Sequence, residues 1–152
     1  MKICCVLSGS ESRLVRVPVN TAVVQGSAVT LECSSDGNGS VIHWYNSLCV
    51  RDNHDCIPSE VIYNGYKLGS SVDSRRFNVP PVNNATHVTR DIIINPVQPS
   101  DAGVYLCVEY VGADVTDTSS AQLIAIGMKI TYRSSKHIPL NIVEIGTPIQ
   151  QR

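Results

Sequence analysis

The chain has 152 residues, of which 43% are hydrophobic and 16% charged, with a formal net charge of -1 at pH 7. That is enough apolar material for one domain with its own core, and it excludes a disordered chain or a solenoid. Lys and Arg are scattered, with Arg75 and Arg76 the only adjacent basic pair, so the cationic stripe that phosphates require is missing and nucleic acid is excluded as a partner. Six cysteines with no C-x-x-C spacing point to an oxidising compartment rather than to a zinc ribbon or a dithiol enzyme. The longest apolar run, LIAIGM near residue 125, is far below the length of a membrane span, so no membrane span is expected within this chain.

In chain order, Met1–Leu7 (MKICCVL) places a lysine before five apolar residues, too short for an ordinary signal-peptide core, and reads as a leader remnant or a disordered start. Residues 1–12, with Cys4 and Cys5, are therefore expected outside the domain, which is expected over 13–128. Ser27–Cys33 (SAVTLEC) alternates, with Val29, Leu31 and Cys33 on one side, the pattern of a half-buried strand. A turn-forming run, Asp36-Gly37-Asn38-Gly39, precedes the strand VIHWY, and Asn38-Gly39-Ser40 is a glycan acceptor pattern. Cys49 and Cys56 then enclose a short polar loop containing His54. Three readings are open there: half of a metal site with His43 and His54, a redox pair, or a disulfide staple. EVIY, RDIII, VYLCVEYV and AQLIAI read as further strands, separated by Asn64-Gly65, Pro80-Pro81 and Gly112-Ala113-Asp114; Asn84-Ala85-Thr86 is a second glycan acceptor pattern. Short strands between closely spaced turn signals, with no helical period, predict an all-β sandwich or barrel.

The segment DAGVYLC, Asp101 to Cys107, narrows that choice. Tyr105 lies two residues before Cys107, Cys33 ends an earlier alternating strand, and Trp44 falls between them on a strand of its own. Ile92, Ile94 and Val97 occupy an L-x-I-x-x-V pattern ahead of D-x-G-x-Y-x-C, and Arg76-Phe77 supplies an R-F pair. Together these resemble the immunoglobulin superfamily, the variable or V-set type in particular, over roughly Arg13 to Met128. The resemblance implies an all-β, V-type immunoglobulin-like sandwich: two antiparallel sheets in Greek-key order. It further implies a Cys33–Cys107 bond between the sheets, Trp44 packed against that bond, and Arg76 paired with Asp101. The Tyr105 hydroxyl is expected on upstream backbone near Gln98 or Pro99. These are scaffold roles. On this framework Trp44 belongs to strand C, so Cys49 and Cys56 bracket the connection from C to C′. A disulfide there is favoured over metal, because the tight ligand pairs of structural zinc sites are lacking. No metal or cofactor is expected.

The chain has no nucleophile elbow, no H-E-x-x-H and no phosphate-cradling glycine loop, and His43, His54, His87 and His137 lie on separate segments. A catalytic role is not expected, and function is sought on surfaces. If Trp44 points inward, His43 and Tyr45 point outward; if Tyr105 and Cys107 point inward, Leu106, Val108 and Tyr110 point outward. Strands C and F are neighbours in the resembled fold, so these five residues are expected to form one solvent-exposed patch. V-set domains commonly bind protein partners, copies of themselves included, through this GFCC′ face. The expectation is thus an extracellular or cell-surface recognition and adhesion module. The alternative is a secreted module that binds carbohydrate or a microbial surface through its loops, with Asp36 and Asn38 on the first and Asp114 and Thr116 on the third. Strand G offers Ile126-Gly127-Met128-Lys129 in place of an aromatic Gly-x-Gly bulge, so antibody-style pairing is not expected. Residues 129–152 are expected as a strand G extension through Ile130 and Tyr132, a linker or a tail.

Overall fold

Pro18 divides the start of the domain. It cannot donate to a ladder, and the chain passes there from β1 (Leu14–Arg16) to β2 (Thr21–Val24). Then follow β3 (Val29–Leu31), β4 (Ser34–Ser35), β5 (Ser40–Val50), β6 (Asp55–Tyr63) and β7 (Phe77–Asn78). The short β8 (Val82–Asn83) and β9 (Val88–Thr89) lead to β10 (Ile92–Ile94) and a single 3-10 turn, Pro99–Asp101. The last strands are β11 (Gly103–Val111), β12 (Asp114–Ile126), β13 (Met128–Ile130) and β14 (Val143–Ile145). This computed structural model describes residues 13–37, 39–50, 55–80, 82–83, 87–130 and 143–145, with backbone alone at 48–50, 55–56, 82–83, 128–130 and 143–145.

One sheet has the order β2-β12-β11-β5-β6, and β2 joins it parallel to β12. The other layer comprises β3-β10-β7 and, as its continuation, β1-β4-β9-β8. The core between the layers comes from the positions that alternation assigns inward: Leu31, Trp44, Ile92, Ile94, Val97, Tyr105 and Leu123 are each at most 2% exposed. Cys33 and Cys107 are bonded across it, 74 residues apart in sequence. Closing a loop of that length removes chain entropy worth about 4 kcal/mol.

Polar groups in this core are all committed. Trp44 Nε1 donates to the Arg90 carbonyl at 2.5 Å, so the indole is buried without a stranded donor. The Tyr105 hydroxyl donates to the Asp101 carbonyl at 2.9 Å, where Gln98 or Pro99 was expected. The 3-10 turn brings the Asp101 carbonyl, four residues upstream, under the ring. Arg76 grips Asp101 with two parallel bonds, Nη1 to Oδ2 at 2.6 Å and Nη2 to Oδ1 at 3.1 Å. The same carboxylate accepts the Gln98 N–H at 2.7 Å.

Two segments differ from the expected layout. The C to C′ hairpin is longer than a bracketed connection: β5 and β6 stay paired out to Val50 and Asp55, and Cys49 stands directly opposite Cys56. The Cys49 and Cys56 side chains and His54 lie outside the described residues, as do Cys4, Cys5, His137, Asn38 and Asn84. Ile130 does not continue strand β12. β12 ends at Ile126, and β13 pairs antiparallel with β14 in a separate two-stranded sheet, Ile130 opposite Val143.

Candidate functional site: the outer face of the five-stranded sheet

Register fixes which side chains share the outer face. On β11, Val104, Leu106, Val108 and Tyr110 stand opposite Ser47, Tyr45, His43 and Val41 of β5. On the other side Val104, Leu106 and Val108 face Gln122, Ser120 and Thr118 of β12, and Val61 of β6 faces Tyr45. Not one of these positions holds Asp, Glu, Lys or Arg. The five residues expected outward from β5 and β11 do lie together on this face. Their exposure was misjudged, however: Leu106 is 7% and Val108 3% exposed, while His43, Tyr45 and Tyr110 are half-buried. β11 is the central strand of five, so Leu106 sits between Tyr45 and Ser120, and Val108 between His43 and Thr118. Two-state parity tells which face a residue is on and nothing about how large its neighbours are.

What lies at the surface is an ordered ring cluster. The Tyr45 hydroxyl is 3.1 Å from His43 Nδ1 and 3.3 Å from the Tyr110 hydroxyl. The His43 and Tyr110 rings are tilted against each other with centroids 4.5 Å apart. Burial pushes the His43 imidazole below its ordinary value, which favours the uncharged ring. Burial, followed by the bond to Tyr110, pushes the Tyr45 phenol up to about 12. Both shifts favour the uncharged forms of His43 and Tyr45, and the cluster's hydroxyls can both donate and accept.

The turn after β6 is seated on the same face. Gly65 has φ +85°, and any Cβ there would collide with Val41 and stand 3.1 Å from the His43 ring, so only glycine fits both the backbone and the space. Asn64 Oδ1 accepts the N–H groups of Tyr66 and Lys67 at 3.1 and 2.9 Å. This clamped turn presents Tyr66 at 82% exposure, the highest among the large apolar side chains described. Sequence reasoning noted the Asn64-Gly65 turn and missed the aromatic residue it displays.

The loop end of the sandwich is organised differently. Asp36 is exposed, and its Oδ1 accepts the Arg13 N–H at 3.1 Å. Asp114 and Thr116 are exposed residues, yet the Thr116 hydroxyl turns inward to Glu109 Oε2 at 2.9 Å. Glu109 is 0% exposed, and its Oε1 accepts the Ser35 hydroxyl. Sequence reasoning passed over Glu109, although its place two residues after Cys107 gives it inward parity.

Comparison with known proteins settles the family. The immunoglobulin V-set domain model matches residues 16–123. The chain belongs to the immunoglobulin V-set family. A solved structure described as murine CRIg aligns with a TM-score of 0.50 at 16% identity, covering 75% of this chain and 97% of that one; at such identity it supports the V-set fold alone. In V-set terms β12, β11, β5 and β6 are strands G, F, C and C′, and the outer face just described is the GFCC′ face. Among the described residues no group of His, Cys, Asp and Glu is arranged to hold a metal ion, and no helix is long and apolar enough to cross a membrane.

Proposed function

We propose that this V-set domain is an extracellular recognition module that binds a protein partner through its GFCC′ face. Another immunoglobulin-type domain, or a second copy of this one, fits the chemistry of that face. The observation that carries the reading is the absence of charged residues at the described outward positions that face one another across strands G, F, C and C′, with a hydrogen-bonded His43–Tyr45–Tyr110 cluster among them. Uncharged groups are desolvated at far less cost than charged ones, aromatic residues are the usual anchors of interfaces, and hydroxyls that donate and accept can meet copies of themselves. The bond between Cys33 and Cys107 supports folding in an oxidising compartment, hence an extracellular or cell-surface location. Catalysis has no part in the reading.

The loop alternative, in which Asp36, Asn38, Asp114 and Thr116 hold carbohydrate, has less support. Asp36 has given one oxygen to Arg13, and the Thr116 hydroxyl is given to Glu109. Val61, 39% exposed and opposite Tyr45, is the cleanest probe of the face, because a charge there meets solvent in the free domain. The test is an array of extracellular domains, including this one, and of glycans, probed with wild type, Val61→Glu and Asp114→Lys. Loss of at least about tenfold in affinity for a protein in Val61→Glu alone supports the reading. Loss in Asp114→Lys alone, or binding to glycans only, overturns it.

A further inference from the structure

We infer that Glu109 is a positioning residue that locks the first and third variable-type loops into one unit, so that a change at either loop is transmitted to the other. Each carboxyl oxygen serves a different loop. Oε1 accepts from Ser35, which enters the loop between β4 and β5; Oε2 accepts from Thr116, just past the turn between β11 and β12. Burying a carboxyl group is costly unless it is bonded, and this one has no exposure at all.

Counting hydroxyl protons extends the link into the first loop. Ser35 has one proton, which goes to Glu109, so Ser35 Oγ faces Gly37 as an acceptor, taking its N–H at 2.9 Å. Ser40 Oγ closes the group, 3.0 Å from both Ser35 Oγ and the Gly37 carbonyl. A chain of bonds thus runs from Thr116 through Glu109 and Ser35 to the Gly37 amide.

The strand register supplies an independent observation. The β11–β12 ladder slips at this point: Glu109 pairs with Asp117 but Tyr110 pairs with Val115. Thr116 is the extra residue of that bulge. Bulges re-aim a side chain, and this one delivers the Thr116 hydroxyl to the buried carboxyl. A ligand that touches both loops would meet a surface whose ordering was completed on folding, and the inference stands whether the sheet face or the loop end does the binding.

The test is amide hydrogen exchange by NMR, comparing Gly37 with Ile94, whose amide lies in the core ladder. Thr116→Val removes only the hydroxyl, on the third loop. It should speed Gly37 exchange by about threefold or more, within the coupling range of groups sharing one hydrogen-bond network, and leave Ile94 unchanged. Thr116→Ser, which keeps the hydroxyl, should behave as wild type. Glu109→Gln retains a single acceptor oxygen and should loosen Gly37 by itself, with Thr116→Val adding nothing further. Gly37 exchange that is unmoved in Thr116→Val, or that moves only in step with Ile94, overturns the coupling.

Discussion

At the scale of single residues, the domain places its few buried polar groups where a bond is waiting. Arg76 and Asp101 have side chains 14% and 5% exposed, so solvent does little to screen them. Asp101 beside Arg76, together with the cation–ring contact of Arg76 over Phe77 at 5.4 Å, ties the β7 entry to the corner before β11. Arg76→Ala would leave the Asp101 carboxylate buried with the Gln98 N–H and no counter-ion, and should lower unfolding free energy by about 2 to 4 kcal/mol. A denaturant midpoint equal to that of wild type would contradict the pair's importance. His43 carries a different consequence. Its folded value lies below the ordinary 6.5 because of burial, so on acidification the unfolded chain takes up this proton first. More protons on the unfolded state means stability falls as pH drops through about 6.5 and downwards. Urea midpoints at pH 7.5 and 5.5 should therefore differ more in wild type than in His43→Gln. An identical pH dependence in both would show that the imidazole titrates as it does in solvent.

At the scale of elements, alternation and turn chemistry made much of the sandwich readable in advance. Val29, Leu31 and Cys33, then Ile92, Ile94 and Val97, are inward as their spacing requires, because a strand has two faces and a core selects one. The GFCC′ residues were legible as to face and not as to exposure. Val108 is buried by its place at the centre of five strands, which follows from strand order, and strand order is not written in any local pattern. Tyr66 and Glu109 escaped for related reasons. The first depends on a turn folding back over Val41, the second on a bulge that sets Thr116 opposite a carboxyl group. The C–C′ hairpin carries the next prediction. Cys49 opposite Cys56 in an antiparallel ladder has the backbone separation a disulfide requires. Peptide mapping without reductant should recover Cys49 linked to Cys56, beside Cys33 linked to Cys107. Cys49 recovered as a free thiol would show that register alone did not suffice, and the edge of the sheet would then lack its staple.

At the scale of the whole molecule, the V-set scaffold separates its two ends of use. Among the described residues the Cys33–Cys107 bond, the buried Arg76–Asp101 pair and an apolar core hold the layers together, while the outward positions that face one another across β12, β11, β5 and β6 hold no charged residue and carry an ordered aromatic cluster. The opposite arrangement, with loops as the binding surface, would need free polar groups at the loop end; there Thr116 and Ser35 are turned inward to Glu109. The central claim is that the GFCC′ face is the surface in use. Its most direct test is to titrate a protein ligand found on the array into isotopically labelled domain and follow the backbone amides by NMR. The account predicts perturbations at His43, Tyr45, Val61, Tyr66 and Tyr110, with Gly37, Asp114 and Thr116 unmoved. Perturbations confined to residues 36–40 and 112–116, with the sheet amides silent, would contradict it.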